Sequence, residues 1–182
     1  MRNNIIKSIK YGLLWAIPGE FVNQVVINNS PKSLIITLLV YVIFLPIGFF
    51  LQKYIDFFLK KVYISFVFQY LIFGFTGLFI EWNLLGNSPA LNPDANQFGM
   101  FTFWALLFLA WKIYSNSLEN DKRKIRLYYM LYFVFCIFPG IFFGDAGAYI
   151  SINSFIWGTI VSNIFVFKYL KNNFLSSTFN QI

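Results

Sequence analysis

Six apolar runs, at residues 11–27, 33–51, 62–82, 97–114, 125–143 and 148–170, constrain this chain more than any other feature. Each is near the roughly 20 residues that a helix needs to cross a hydrocarbon core about 30 Å thick. Inside lipid, every backbone N–H and C=O must find a partner within the protein, which favours helices for runs of this length. The expected architecture is all-α, a polytopic transmembrane helical bundle of about six spans, forming a single integral membrane domain over residues 1–182. Composition agrees. The chain is 58% hydrophobic and only 12% charged, whereas a soluble domain carries about 25% charged residues. The lipid bilayer is therefore its expected solvent.

The basic residues fix an orientation. With the amino terminus in the cytoplasm, the inner segments hold Arg2, Lys7, Lys10, Lys53, Lys60, Lys61, Lys112, Lys122, Arg123, Lys124, Arg126, Lys168 and Lys171. Lys32 alone falls outside. Positive charge of this bias retains loops in the cytoplasm. It predicts an even number of spans, both termini cytoplasmic, and residence in the cell (inner) membrane. The net charge of +7 then reports membrane orientation, and no nucleic-acid motif accompanies it. Arg2, Lys7 and Lys10 before an apolar run resemble the start of a signal peptide. Pro18, Gly19 and Glu20 interrupt that run and no small-residue cleavage site follows, so the segment is read as an uncleaved first span.

Several chemistries are excluded. The chain has no histidine, which removes Ser-His and Cys-His catalysis and histidine-ligated metals. The one cysteine, Cys136, lies in an apolar run and is read as a buried thiol. No cofactor motif and no metal-ligating spacing is present. Acid–base or ionic work falls to seven carboxylates: Glu20, Asp56, Glu81, Asp94, Glu119, Asp121 and Asp145. Asp56, Glu119 and Asp121 sit among basic residues and read as solvated loop charges, and Lys168 reads as a snorkelling side chain.

Glu20 is the sharpest candidate. Ten residues beyond Lys10, it lies about 15 Å along a helix, near the bilayer midplane. A carboxylate there costs about 3 kcal/mol on insertion scales unless it is protonated, paired or hydrated. Pro18 and Gly19 are expected to break the helix beside it. Asn23 and Gln24, at i+3 and i+4, are expected to share its face. By depth alone, Gln69 and Asn153 would join Glu20 around one cavity open to the outside.

A second cluster spans Glu81 to Gln97. It carries Glu81, Asn87 and Asp94 amid turn sequences, with Asn92 and Asp94 expected to cap the fourth span and Trp82 and Trp104 expected to anchor at the membrane interface. It reads as an ordered outer loop, or as a lid over a cavity. A third cluster, Pro139 to Gly147, repeats a Pro-Gly step followed by a carboxylate, Asp145. Gly140, Gly144 and Ala148 there also have the spacing of a close-packed helix face.

The candidate ligand-binding or gating residues are thus Glu20, Asn23, Gln24, Gln69, Glu81, Asn87, Asp94, Asp145 and Asn153. Outer acidic residues favour a cationic or neutral polar solute over an anion. The first functional expectation is a transporter or solute-binding subunit with an outward-facing acidic cavity. A second is a membrane-embedded enzyme acting on a lipid or isoprenoid substrate, with a divalent metal on Glu81, Asp94 and Asp145. A third is an accessory or assembly subunit, joined to other membrane subunits or to copies of itself.

Overall fold

The computed structural model describes residues 2–83, 85–93 and 96–179, with side chains placed over 3–83, 85–93 and 96–172. The described residues form helices and no strands. The helices are α1 (Arg2–Glu20), which passes directly into a π-helical segment (Phe21–Ile27), then α2 (Pro31–Phe58), α3 (Val62–Asn83), α4 (Gln97–Ser115), α5 (Glu119–Phe142) and α6 (Gly144–Phe179). Five of them, α2 to α6, are long and apolar enough to cross a membrane. The polar start of α1 and its Glu20 keep it below that threshold.

The arrangement is five helices around one. α4 packs against every other helix, and the ring runs α1, α2, α3, α6, α5 and back to α1. Burial follows this order: 61% of the apolar stretch of α4 is buried, against 22% for α2 and for α6. An unbroken run from Thr102 to Ala110 is buried in α4. The outward faces of the ring are apolar, with Ile35, Leu39, Ile43 and Phe57 of α2 and Phe75 and Phe79 of α3 exposed. A surface of this kind is stable in lipid and aggregates in water.

Pro18 does not break α1. The helix runs through it, and a wider, π-helical winding begins one turn later. α2 continues well past residue 51 and carries Asp56 on its last turns. Asn96, rather than Asn92, caps α4, its Oδ1 accepting from the Gly99 N–H at 2.8 Å. α5 and α6 form a tight hairpin. Gly144 adopts φ +53 to turn the chain, a conformation that a β-carbon disfavours. Its spare volume is open, so it serves the turn and does not pack a helix face. Gly158 and Ser162 do pack, against Tyr132 and Tyr128 of α5 respectively.

Candidate functional site

Two polar clusters lie inside the bundle, at opposite ends. The first gathers at the end where α2, α3 and α4 exchange their basic termini. Lys112 donates to Asp56 Oδ1 at 2.5 Å and to Gln69 Oε1 at 3.0 Å. Gln69 Nε2 donates to the same Asp56 oxygen at 2.9 Å, and Ser65 Oγ donates to it at 2.5 Å. Gln52 ties this cluster to α4 through the Phe108 carbonyl at 2.9 Å. The ammonium of Lys112 and Oδ1 of Asp56 are both multiply bonded, which offsets part of the cost of burying an ion pair. Gln69 therefore belongs to a closed ionic network that joins three helices, at a distance from Glu20. Asp56 is likewise a bonded partner in that network, and Asp121 is buried beside Lys168 at 2.5 Å. Neither is a solvated loop charge.

The second cluster forms where the π-helical segment begins. Glu20 is 7% exposed. Tyr41 of α2 donates its hydroxyl to Glu20 Oε1, and Gln24 Nε2 donates to Oε2 at 3.3 Å. Asn23 turns away. It is exposed and accepts from Asn28 at 3.3 Å. The five-residue step between those two asparagines is the repeat of π winding, which splits the stripe that α-helical spacing implied.

The Tyr41 ring meets the Trp104 ring edge to face at 5.7 Å. Trp104 Nε1 donates to Glu81 Oε1 at 2.9 Å, and Asn87 Nδ2 donates to Glu81 Oε2 at 2.7 Å. Glu81 is near enough for its charge to act on both Glu20 and Tyr41. Glu20, Gln24, Glu81 and Asn87 are thus brought into one acidic layer spanning α1 to α4. Trp104 is buried within it and is no interface anchor, whereas Trp82 is exposed and donates to Gln97 Oε1 at 2.6 Å.

The remaining candidates stand apart. Asn153 bonds its own helix, donating to the Tyr149 carbonyl at 2.8 Å. Asp145 is exposed in the first turn of α6, where a carboxylate complements the helix dipole. Asp94 lies outside the described residues. Among the described residues, no three His, Cys, Asp or Glu side chains gather as a metal site would require.

Two hydroxyls near the acidic layer were not singled out from sequence. Tyr132 Oη and Ser151 Oγ are buried and have no hydrogen-bond partner among the described residues. Tyr132 stacks on Trp15 at 5.3 Å and lies within electrostatic range of Glu20. Ser151 faces Gly140, whose other neighbours are Phe21 and Val26 of the π-helical segment. A buried hydroxyl left unpaired costs about 1–3 kcal/mol. A Tyr in an apolar run and a Ser on a helix carry no sequence signal for this; only the packing of α5 and α6 against the π-helical segment supplies it. Comparison with protein-family models, with curated proteins and with solved structures finds no match to this chain.

Proposed function

We propose that this chain is a six-span membrane carrier, with its termini in the cytoplasm, that binds a cationic or neutral polar solute at Glu20. The observation that carries the reading is a buried carboxyl at an α-to-π transition, with the unpartnered Tyr132 hydroxyl within its electrostatic range and the Ser151 hydroxyl packed against the π-helical segment. A π-helical turn is a frequent feature of functional sites. Ionisable groups within membrane helices commonly mark substrate or ion pathways. Glu20 supplies the negative charge, Tyr41 and Gln24 orient its carboxylate by donating to one oxygen each, and Tyr132 and Ser151 offer hydroxyls to the solute. Glu81, fixed by Trp104 and Asn87, attracts cations from the loop end of the bundle. Asp145 and Asn153 stand outside this cluster.

The test is uptake into proteoliposomes of a panel of small organic cations and neutral polar solutes, driven by an inside-negative potassium diffusion potential. Uptake of a panel member is expected to fall by about tenfold or more in Glu20→Gln, the effect of losing one charge-assisted contact. The melting temperature in detergent should stay near that of the wild type. Undiminished uptake by Glu20→Gln would end the assignment.

A further inference from the structure

A groove of about 340 Å³ follows the seam between α1 and α5 on the outside of the ring. Leu14 of α1 and Met130, Phe133 and Val134 of α5 line it, over Tyr11 and Tyr129, which are buried. Lys10 and Arg126 complete the lining. Both helices start from the same end of the bundle, so these two cations sit at one end of the groove. The apolar residues extend from them for about 12 Å, the rise from Arg126 to Val134.

Neither cation is held in an ion pair among the described residues. Both are exposed. The ion pairs among the described residues are Lys112–Asp56, Lys122–Glu119 and Lys168–Asp121, and neither Lys10 nor Arg126 takes part. The carboxylates that begin α5 are already engaged, Glu119 by Lys122 at 2.6 Å and Asp121 by Lys168 at 2.5 Å. A lysine and an arginine at one end of an apolar groove match a molecule with a phosphate at one end and hydrocarbon at the other. The guanidinium fork suits two phosphate oxygens, and the ammonium adds a point charge. A second groove, of about 500 Å³ between α3 and α6, differs in this respect. Its lining has no cation, and its polar groups Tyr70 and Asn163 bond each other at 2.8 Å.

We propose that the α1–α5 groove is a binding site for an anionic phospholipid, with the phosphate held between Lys10 and Arg126 and one acyl chain lying along Leu14, Met130, Phe133 and Val134. The site does not depend on the role given to Glu20. Native mass spectrometry of the full chain from detergent tests it, with dioleoylphosphatidylglycerol and dioleoylphosphatidylcholine offered together. The wild type is expected to retain the glycerol lipid over the choline lipid by roughly tenfold, from two cations at the headgroup level. The double variant Lys10→Gln/Arg126→Gln is expected to bring that ratio near unity. Lys60→Gln/Lys61→Gln, which removes the same charge from exposed residues outside the groove, is expected to keep it. Val134→Trp, filling the groove, should reduce retention of both lipids. A ratio unaffected by Lys10→Gln/Arg126→Gln, or lowered equally by Lys60→Gln/Lys61→Gln, overturns the proposal. So does equal displacement by water-soluble glycerol 3-phosphate, which would show a phosphate site with no use for the groove.

Discussion

Lys112 and Lys168 each meet an aspartate at 2.5 Å, and in each pair one partner is largely buried. The Lys112 side chain is 8% exposed and holds Gln69 as well as Asp56, whereas that of Lys168 is 46% exposed. Removing one partner of a buried pair strands the other charge, at a cost of about 3–5 kcal/mol. Asp56, at 34% exposure, can recover some hydration, so Lys112→Met is expected to cost about 2–3 kcal/mol. Lys168→Met strands Asp121, whose side chain is only 11% exposed and can recover less hydration than Asp56, so it is expected to cost about 3 kcal/mol. Unfolding in mixed micelles with increasing dodecyl sulfate measures both, and a loss below about 1 kcal/mol for Lys168→Met would show that Asp121 regains solvent once its partner is gone. At this scale the sequence was only partly legible. It assigns Asp56 and Lys112 to the same side of the membrane. It does not show that they meet, since each lies within about one turn of a span end and boundaries are uncertain by a similar amount. Glu20 was legible because a charge in an apolar run is conspicuous. Tyr41, its strongest partner, was not, since a tyrosine on a membrane helix has many ordinary explanations.

Elements were legible in number and type, but not in their placement. In water, an apolar stripe identifies the face that a helix turns inward. In lipid both faces are apolar, so periodicity no longer separates core from exterior. α2 and α4 are both apolar throughout, yet α2 exposes Ile35, Ile36 and Ile43 while α4 buries Phe103, Leu107 and Ala110. What distinguishes them is small residues on the neighbours that receive the large side chains of α4. Gly77 of α3 lies against Trp104, where a β-carbon would come within 2.0 Å of the indole Cγ. Gly48 of α2 similarly receives Phe108, at 2.2 Å from the ring. Gly77→Ala is therefore expected to cost about 1–3 kcal/mol by overpacking, and to move the Trp104 indole away from Glu81. The fluorescence maximum of the variant should shift as that hydrogen bond is lost. Gly86→Ala is the comparison. Its β-carbon would meet open space, and its φ of +73 makes the backbone the only obstacle, so about 1 kcal/mol is expected with no spectral change. A spectrum unaltered by Gly77→Ala would show that the α3–α4 contact yields without moving the indole.

At the scale of the whole molecule, α1 decides how many times the chain crosses. Five helices qualify on length and apolarity, and α1 does not. Yet α1 is a full member of the ring around α4, and its Trp15, Ala16 and Glu20 are buried there. A helix lying on the membrane surface would not reach the Glu20 layer shared with Tyr41 and Glu81. The basic residues also collect at the end of the bundle where α1 begins, which the positive-inside rule assigns to the cytoplasm. These arguments together predict six crossings, and cysteine labelling in intact cells can check them directly. Cys136 is fully buried, so the wild type should give little background with a membrane-impermeant maleimide. Ala90→Cys, in the exposed loop between α3 and α4, is expected to react from outside. Lys60→Cys, between α2 and α3, is expected to react only after permeabilisation. Asn3→Cys on α1 is the deciding position. Protection like that of Lys60→Cys places the start of α1 on the cytoplasmic side and gives six spans. Reaction from outside, like Ala90→Cys, would leave five, and would remove α1 and its carboxylate from the membrane interior in which the carrier proposal places them.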